Sequence, residues 1–599
     1  MTQCASPKKL SLGKLSGPEV AKLLVEYGRR VSLAGGNPYR AKAYIRAAEN
    51  LAAQTEPLDR LIKEDRLRQI PGVGAAIADI ITQLAQTGSH SSLDKMRSEI
   101  PPEALELLSI PGLRPEKVLK LYKELGVKSV EELELAARED RIKRVKGLGA
   151  ALQQKILQGL AVYRDTQGAR HVHRAEVMIA AAAESLKRSN PLVQKVAPAG
   201  DFRRGNELVV KHVVVALVND LKAAREHTAG DVTVVFTDEK RFGITLLLAT
   251  GSESHLHELE ALATTKGYQL TAEGLRKGRK LIASRTEAEI YEALGLQYIE
   301  PELREGRREI KQASAKKRLP RLVDQKDLRG ILHAHTDASD GATTVKEMAG
   351  AVRERGFQYF GVSDHSQTAH YAGGLSVEEI DAQHAEIDRL NKRPTREFRI
   401  FKGIESDILP DGSLDYPEDV LRRFDFIVAS VHGQFRLDKA AQTERILSAV
   451  RNPYVTILGH MTGRQLLRRP GYEVDVEKIL EACANHGVAV EINSNPWRLD
   501  LDWRWYQQGL KLGCLFSINP DAHSISEIDL VARATPQRIK TTGNRRRYAD
   551  ERNGLGTKAP GFILCRPANN CLRLIVRGDS TGLAAKKLPR VLPRVTSFA

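Results

Sequence analysis

Between residues 17 and 86, apolar positions recur every three or four residues, as in V-A-K-L-L-V-E-Y from Val20 and again over residues 41–51. That period is the α-helix's, and it predicts a helical N-terminal region. Residues 175–187 predict a further helix, and the run 213–218 reads as a strand. Beyond residue 328 the rhythm changes to apolar runs of four to seven residues, separated by helical stretches such as 345–355 and 476–486. Alternating strands and helices imply a parallel sheet, here expected to close into a barrel. Residues 305–327, dense in Lys, Arg and Glu, read as a charged linker into it. Past Leu530 no period is sustained. Arg545, Arg546, Arg547 and scattered Gly and Pro predict an irregular tail, either from a shifted reading frame or as a genuine basic arm.

Composition changes this picture in two places. With 599 residues, the chain must hold several domains. Its net charge of +17 suggests nucleic acid, but residues 533–599 carry 15 Lys or Arg against 3 Asp or Glu, leaving 77 against 72 elsewhere. DNA binding therefore has to be argued from motifs. Cys4, Cys483, Cys514, Cys565 and Cys571 form no even framework, which predicts reduced thiols in a cytoplasmic protein. No apolar run approaches the ~20 residues of a membrane span, and no secretory leader follows Met1.

Candidate chemistry concentrates in the barrel-like half. His333 and His335 stand two apart, which on a strand places both imidazoles on one face, about 6.6 Å apart. Five further apolar runs end in a metal-competent side chain: at His365, Glu405, His432, His460, and Asp521 with His523. Asp340 adds an acid just past the first run. In barrels of this class, reactive groups project from the C-terminal strand ends. Six runs would deliver nine donors to one rim, so a polynuclear metal site is expected.

The segments H-A-H-T, S-D-H-S, G-I-E-S-D-I-L-P-D-G-S-L-D, A-S-V-H, I-L-G-H and N-P-D-A-H resemble the motifs of the PHP (polymerase and histidinol phosphatase) domain over residues 328–528. That resemblance implies a distorted (β/α)7 barrel with three divalent ions, manganese or zinc. It assigns His333, His335, Glu405 and Asp521 to one ion, Glu405, His432 and His460 to a second, and Asp340, His365 and His523 to a third.

Three glycine turns precede this region: I-P-G-V-G-A-A-I-A from Ile70, I-P-G-L-R-P-E-K-V from Ile110, and V-K-G-L-G-A-A-L from Val145. Each opens a helix whose free N–H groups can hold a phosphate without reading a base. They resemble helix-hairpin-helix motifs, with Gly72, Gly74, Gly112, Gly147 and Gly149 as the DNA-contacting positions. Arg114 departs from the usual glycine.

Residues 199–208, A-G-D-F-R-R-G-N-E-L, with Thr250-Gly-Ser252 and the segment 293–304, resemble the palm and thumb of family X DNA polymerases. With the hairpins and the barrel, residues 15–530 resemble a bacterial PolX. The departures are specific. That family's serine is Asp201 here, its D-x-D pair is Lys211 and Val213, and its third aspartate is Thr233. Asp231 lies two residues away. Leu248-Ala249 replaces an aromatic pair, and Leu256 stands for the base-contacting Asn. The stretch 75–80 lacks the lysine of related deoxyribose-phosphate lyases, while Arg40 and Lys42 remain to contact a 5′-phosphate or to form a solvated face. Nucleotidyl transfer needs carboxylates for two Mg2+ ions, so the palm is expected to be degenerate.

The expected organisation is multidomain α+β and α/β: a flexible lead-in (1–15), a lyase-like helix-hairpin-helix domain (16–95), fingers-like hairpins (96–170), degenerate palm and thumb (171–304), linker (305–327), PHP domain (328–530) and basic tail (531–599). The expected activity is a metal-dependent 3′→5′ exonuclease on gapped or 3′-ended DNA, by a monomer associated with the nucleoid. Arg464 near the rim is a candidate to neutralise phosphate. A gap-filling polymerase, a small-molecule phosphatase and a non-catalytic DNA scaffold are the alternatives.

Overall fold

The computed structural model describes residues 15–541, apart from residues 36, 53–56, 71, 100–101, 167, 223, 225–226, 230–231, 315–318, 393–397 and 534–539. Asp231 and nearly all of the basic tail lie outside the described residues.

The N-terminal periodicity becomes two helical units. Helices Gly17–Leu33, Pro38–Ala52, Leu58–Lys63, Ala75–Thr87 and Ser91–Glu99 bury Leu24, Leu51, Ile81 and Leu84 in one core. Ser16 and Glu19 form a capping box that starts the first helix, satisfying N–H groups that have no partner within it. Helices Glu103–Leu107, Pro115–Leu125, Val130–Arg138, Arg141–Arg144 and Gly149–Asp165 enclose a second core around Ile110, Leu121, Leu133 and Ile156.

Helix Val172–Ser189 then packs on a four-stranded sheet. Its central strand Val213–Val218 pairs antiparallel with Val193–Pro198 and parallel with Val232–Thr237, whose other edge carries His227–Ala229. A run of β-branched residues suits this position, buried from both faces. The next unit joins helices Phe242–Thr250, Glu253–Thr265 and Glu287–Ala293 to a three-stranded antiparallel sheet. A buried ion cluster ties the two units. Glu287 accepts from Arg203 at 2.6 and 2.8 Å and from the fully buried Arg304.

Residues 305–327, expected as a charged linker, also contribute to packing. Helix Glu309–Ser314 and strand Arg321–Leu322 put Ile310, Ala313 and Leu322 into the preceding core. Buried Glu309 accepts from the Gly306 N–H at 2.8 Å and lies 2.8 Å from His255 Nδ1. Counting charges hid the apolar face that these three residues make.

The C-terminal half contains seven parallel strands hydrogen-bonded in chain order: Gly330–Ile331, Tyr359–Val362, Arg399–Asp407, Phe426–Ser430, Ile457–Leu458, Ala489–Asn493 and Leu515–Asn519. A parallel bridge joins Ala334 to Ala522, and the His335 N–H donates to Ala522 O at 2.8 Å. The last strand's continuation thus meets the first's, and the sheet curls into a nearly closed barrel. Helices Val345–Glu354, Val377–Asn391, Lys439–Arg451 and Val476–His486 cover it. Their inward faces share a core with Phe360, Ile404, Ile427 and Ile492.

Candidate metal centre

All nine singled-out side chains reach one end of this barrel. Glu405, in the long strand Arg399–Asp407, is the hub. Its Oε1 lies 3.3 Å from His333 Nε2, 3.3 Å from His432 Nε2 and 2.9 Å from His460 Nε2. Its Oε2 lies 3.6 Å from His335 Nε2 and 3.2 Å from His365 Nδ1. Asp521 Oδ1 faces His335 Nε2 at 3.2 Å and His333 Nε2 at 3.5 Å. Asp340 Oδ1 completes the rim, 3.4 Å from His523 Nε2 and 3.7 Å from both His335 Nδ1 and His365 Nε2. Four overlapping donor groups result: His335, Asp340, His365 and His523; His333, His460 and Asp521; His333, His335 and Glu405; and His365, Glu405 and His432.

The donor chemistry fits divalent ions. His333 Nε2, both ring nitrogens of His335 and His365 Nδ1 are buried without a hydrogen-bond partner. Buried polar atoms are almost always paired, so this many unmet nitrogens aimed at carboxylates calls for cations between them. Electrostatics agrees. Burial would raise the Glu405 carboxyl, but His432, His333 and His365 hold it well below its usual range. Burial would lower His432, yet Glu405 and Asp407 lift it to about 10. Burial keeps His365 down at about 4 against the pull of Glu405.

Residues that orient these donors escaped the sequence reading. Glu491 Oε1 lies 2.7 Å from His333 Nδ1, while its Oε2 accepts the His460 N–H at 2.8 Å. Asp407 Oδ1 lies 2.5 Å from His432 Nδ1. Asn493 donates to Asp521 Oδ2 at 3.0 Å. Asp364 accepts from the Thr336 N–H and hydroxyl at 2.7 and 2.6 Å and from Ser339, shaping the turn that carries Asp340. Such carboxylate partners set the tautomer and aim of a ligating imidazole. A signal existed for one of them: Glu491 interrupts the apolar run V-A-V-E-I-N. Arg464, expected to face phosphate, is instead bound to Asp502 at 2.7 Å and to the carbonyls of Arg498 and Leu499. Its guanidinium holds that loop.

In the central sheet, Val213 and Thr233 are register partners on adjacent strands, with the exposed Lys211 two residues earlier. Asp201 sits beside them but turns inward. It accepts from the N–H groups of Val210 and Lys211 at 3.0 and 3.1 Å and from Arg204 at 2.7 Å. At the hairpins, Gly72, Gly112 and Gly147 have φ of +83°, +78° and +81°. Gly74 is the N-cap of helix Ala75–Thr87, and Gly149 begins helix Gly149–Asp165. The Gly112 and Gly147 turns are neighbours, since Lys155 packs on Gly112 while Lys117 Nζ, from the helix after Gly112, donates to Gly147 O at 3.1 Å.

Family models match in four places: a helix-hairpin-helix domain over residues 16–90, a SAM-like helix-hairpin-helix tandem over 104–161, the DNA polymerase beta thumb over 245–305 and the PHP domain over 332–495. The last ends short of Asp521 and His523, which the fold nevertheless returns to the same rim. A Bacillus subtilis protein named DNA polymerase/3′-5′ exonuclease PolX is 31% identical over 569 residues, covering 90% of this chain and 97% of its own length. Probable phosphatases of Caldanaerobacter subterraneus and Vibrio campbellii are 30% and 31% identical over 28% and 34% of this chain, covering 62% and 80% of their own lengths. Likeness along nearly the whole of both sequences, with helix-hairpin-helix, thumb and PHP models all matching this chain, makes it a member of the bacterial family X DNA polymerases that carry a PHP domain.

Proposed function

We propose that the chain is a metal-dependent phosphodiesterase acting as a 3′→5′ exonuclease on DNA ends, and that its palm no longer polymerises. The observation carrying this reading is the convergence on Glu405 of donors from every part of the barrel, beside a palm whose three carboxylate positions hold Lys211, Val213 and Thr233. In this reading His333, His335, Asp340, His365, Glu405, His432, His460, Asp521 and His523 hold three divalent ions, manganese or zinc. Such ions supply Lewis acidity, neutralising phosphate charge and lowering the pKa of water. Glu491 and Asp407 fix the faces of His333 and His432. The hairpins at Gly72, Gly112 and Gly147 grip the backbone of gapped or 3′-ended DNA without reading sequence, and the protein works as a monomer. The domain limits expected from the sequence go with this proposal, with 305–327 moved to the thumb.

Lysine at a metal-binding position repels the ion that an aspartate would attract. Asp201, already committed to two N–H groups and Arg204, would also repel a triphosphate. A 3′-recessed duplex with Mn2+ should therefore shorten, with or without dNTPs, and should never lengthen. His333→Ala and Asp521→Ala should each abolish the shortening. Extension with dNTPs would refute the palm reading, and undiminished digestion by either variant would refute the barrel reading. The barrel's likeness to probable phosphatases supports a second reading, hydrolysis of a small phosphomonoester. Release of phosphate from such esters with no action on DNA would favour it.

A further inference from the structure

Tyr359, Phe360, Phe426 and Phe516 are buried in the barrel, whereas Tyr371 is 72% exposed. It stands on the short turn His370–Ala372, six residues after His365, one of the nine rim donors. The His365 and Tyr371 rings lie 6.2 Å apart, centroid to centroid, at an angle of 58°. Partial burial, then the charges of Asp407, Glu405 and Asp340, hold the phenol above its usual range, with Arg498 opposing. Charges act with such effect only from nearby, so the ring stands at the rim of the metal centre with most of its surface open.

The loop that carries Tyr371 is fixed. Ala369 and Ala372, on either side of the turn, are buried, and the Ala372 N–H donates to Ala369 O at 2.8 Å. The Leu375 N–H donates back to His365 O at 2.9 Å, so the loop starts and ends at a rim donor. Gly374 has no room for a Cβ, because Ser366 O fills the place. Ahead of the turn, the Thr368 N–H donates to Asp415 Oδ2 at 2.7 Å. The Thr368 hydroxyl lies 3.1 Å from Asp407 Oδ2, whose other oxygen faces His432. A carboxylate that aims one donor imidazole therefore also helps to place this loop.

An aromatic face held rigid and left open forgoes the stabilisation that burial would give it. A flat apolar partner arriving with the substrate would restore it. On a nucleic-acid end that partner is the nucleobase, which lies one sugar from its phosphate, as Tyr371 lies one ring from His365. Stacking accepts any base, since every base has a π-face. It thus suits a protein proposed to grip the DNA backbone without reading sequence.

We propose that Tyr371 is the platform on which the base of the 3′-terminal nucleotide stacks while its phosphate meets the rim donors. The platform makes the centre selective for nucleotide ends over phosphate esters that carry no base. This rests on the phosphodiesterase reading and deepens it.

The test uses the full-length protein with Mn2+ and two oligonucleotides: dT12, and the same length ending at its 3′ side in a tetrahydrofuran residue that has no base. In the native chain KM for dT12 should lie about 5–100-fold below that for the base-less end, the range of one base–aromatic stack. Tyr371→Ala, which removes an exposed side chain and opens no cavity, should raise the dT12 KM by a like factor and close the gap. Tyr371→Phe keeps the ring and should behave as native. Equal KM values for the two ends in the native chain would overturn the platform. So would a gap that survives in Tyr371→Ala, or a loss in Tyr371→Phe as large as in Tyr371→Ala. A second readout needs no turnover: calorimetry with thymidine 5′-monophosphate and deoxyribose 5-phosphate in the presence of Mn2+. Tighter binding of the nucleotide, lost in Tyr371→Ala, supports the platform; equal affinities in the native chain, or a preference that outlasts the substitution, dismiss it. If the native chain cleaves neither oligonucleotide, the phosphodiesterase reading fails and the calorimetry alone decides.

Discussion

At the scale of single residues, the rim depends on one carboxylate with two faces. Glu405 meets three imidazoles through Oε1 and two through Oε2, which only a bridging acid can do. Glu491 supports this from behind by holding both His333 Nδ1 and the His460 backbone. Glu491→Gln should therefore lower metal affinity or nuclease activity about 10–100-fold, the usual effect of an outer carboxylate. Metal titration by calorimetry checks it, and wild-type affinity in the variant would remove Glu491 from the site. In the palm, the proposed inactivity rests on three positions together. Lys211→Asp alone should leave primer extension undetectable, because Val213 and Thr233 still offer no carboxylate; extension by that variant would contradict the reading.

At the scale of elements, two local devices carry testable cost. Gly112 combines a φ of +78° with a site where an added Cβ would come 2.7 Å from Lys155 Cε. Gly112→Ala should destabilise that helical unit by about 1–2 kcal/mol, seen as a lower melting temperature, and should weaken DNA binding. The ion cluster of Arg203, Glu287 and Arg304 joins palm to thumb out of water. Removing one partner leaves buried charge uncompensated, so Glu287→Ala should cost about 3–5 kcal/mol. An unfolding midpoint equal to wild type would mean that the cluster contributes little. Much at this scale was legible beforehand. The helical periods, the turns at Gly72, Gly112 and Gly147 and the alternation in the barrel are local patterns, and local patterns survive in one dimension. The segment 305–327 was not legible, because Ile310, Ala313 and Leu322 become a face only when the neighbouring core receives them.

At the scale of the molecule, the palm and the barrel are locked together. Trp503 and Arg504 donate to Glu207 at 2.8 and 2.7 Å, and the His171 ring lies 4.3 Å from Trp497. Burial lowers His171 to about 4, with Arg174 and Arg468 pushing the same way against its contact with the Leu466 carbonyl. The sign follows. A base with a depressed folded pKa contributes its full stability above the unfolded value near 6.5 and loses it as pH falls toward 4. The free energy of unfolding in urea should drop between pH 7 and 5 by an amount on the order of 2 kcal/mol, and His171→Gln should flatten that slope. A pH profile unchanged by the substitution would exclude His171 as the cause.

What the chain's order of residues determined alone is which groups exist and where each local run begins and ends. The nine rim donors were visible because every one terminates or follows an apolar run, and a barrel of this class sends all such ends to one side. Their partners were a matter for the tertiary structure. Glu491, Asp407 and Asp364 stand in positions that look like ordinary strand acids. Closure of the sheet, with Ala334 meeting Ala522, brings Glu491 behind His333, while pairing of adjacent strands sets Asp407 beside His432 and Asp364 holds the turn that carries Asp340. Arg464 and Arg468 show the same division. Four residues apart and chemically identical, one is consumed by Asp502 and the other is left facing Trp497, because those neighbours come from a later loop, 38 residues beyond Arg464 and 29 beyond Arg468.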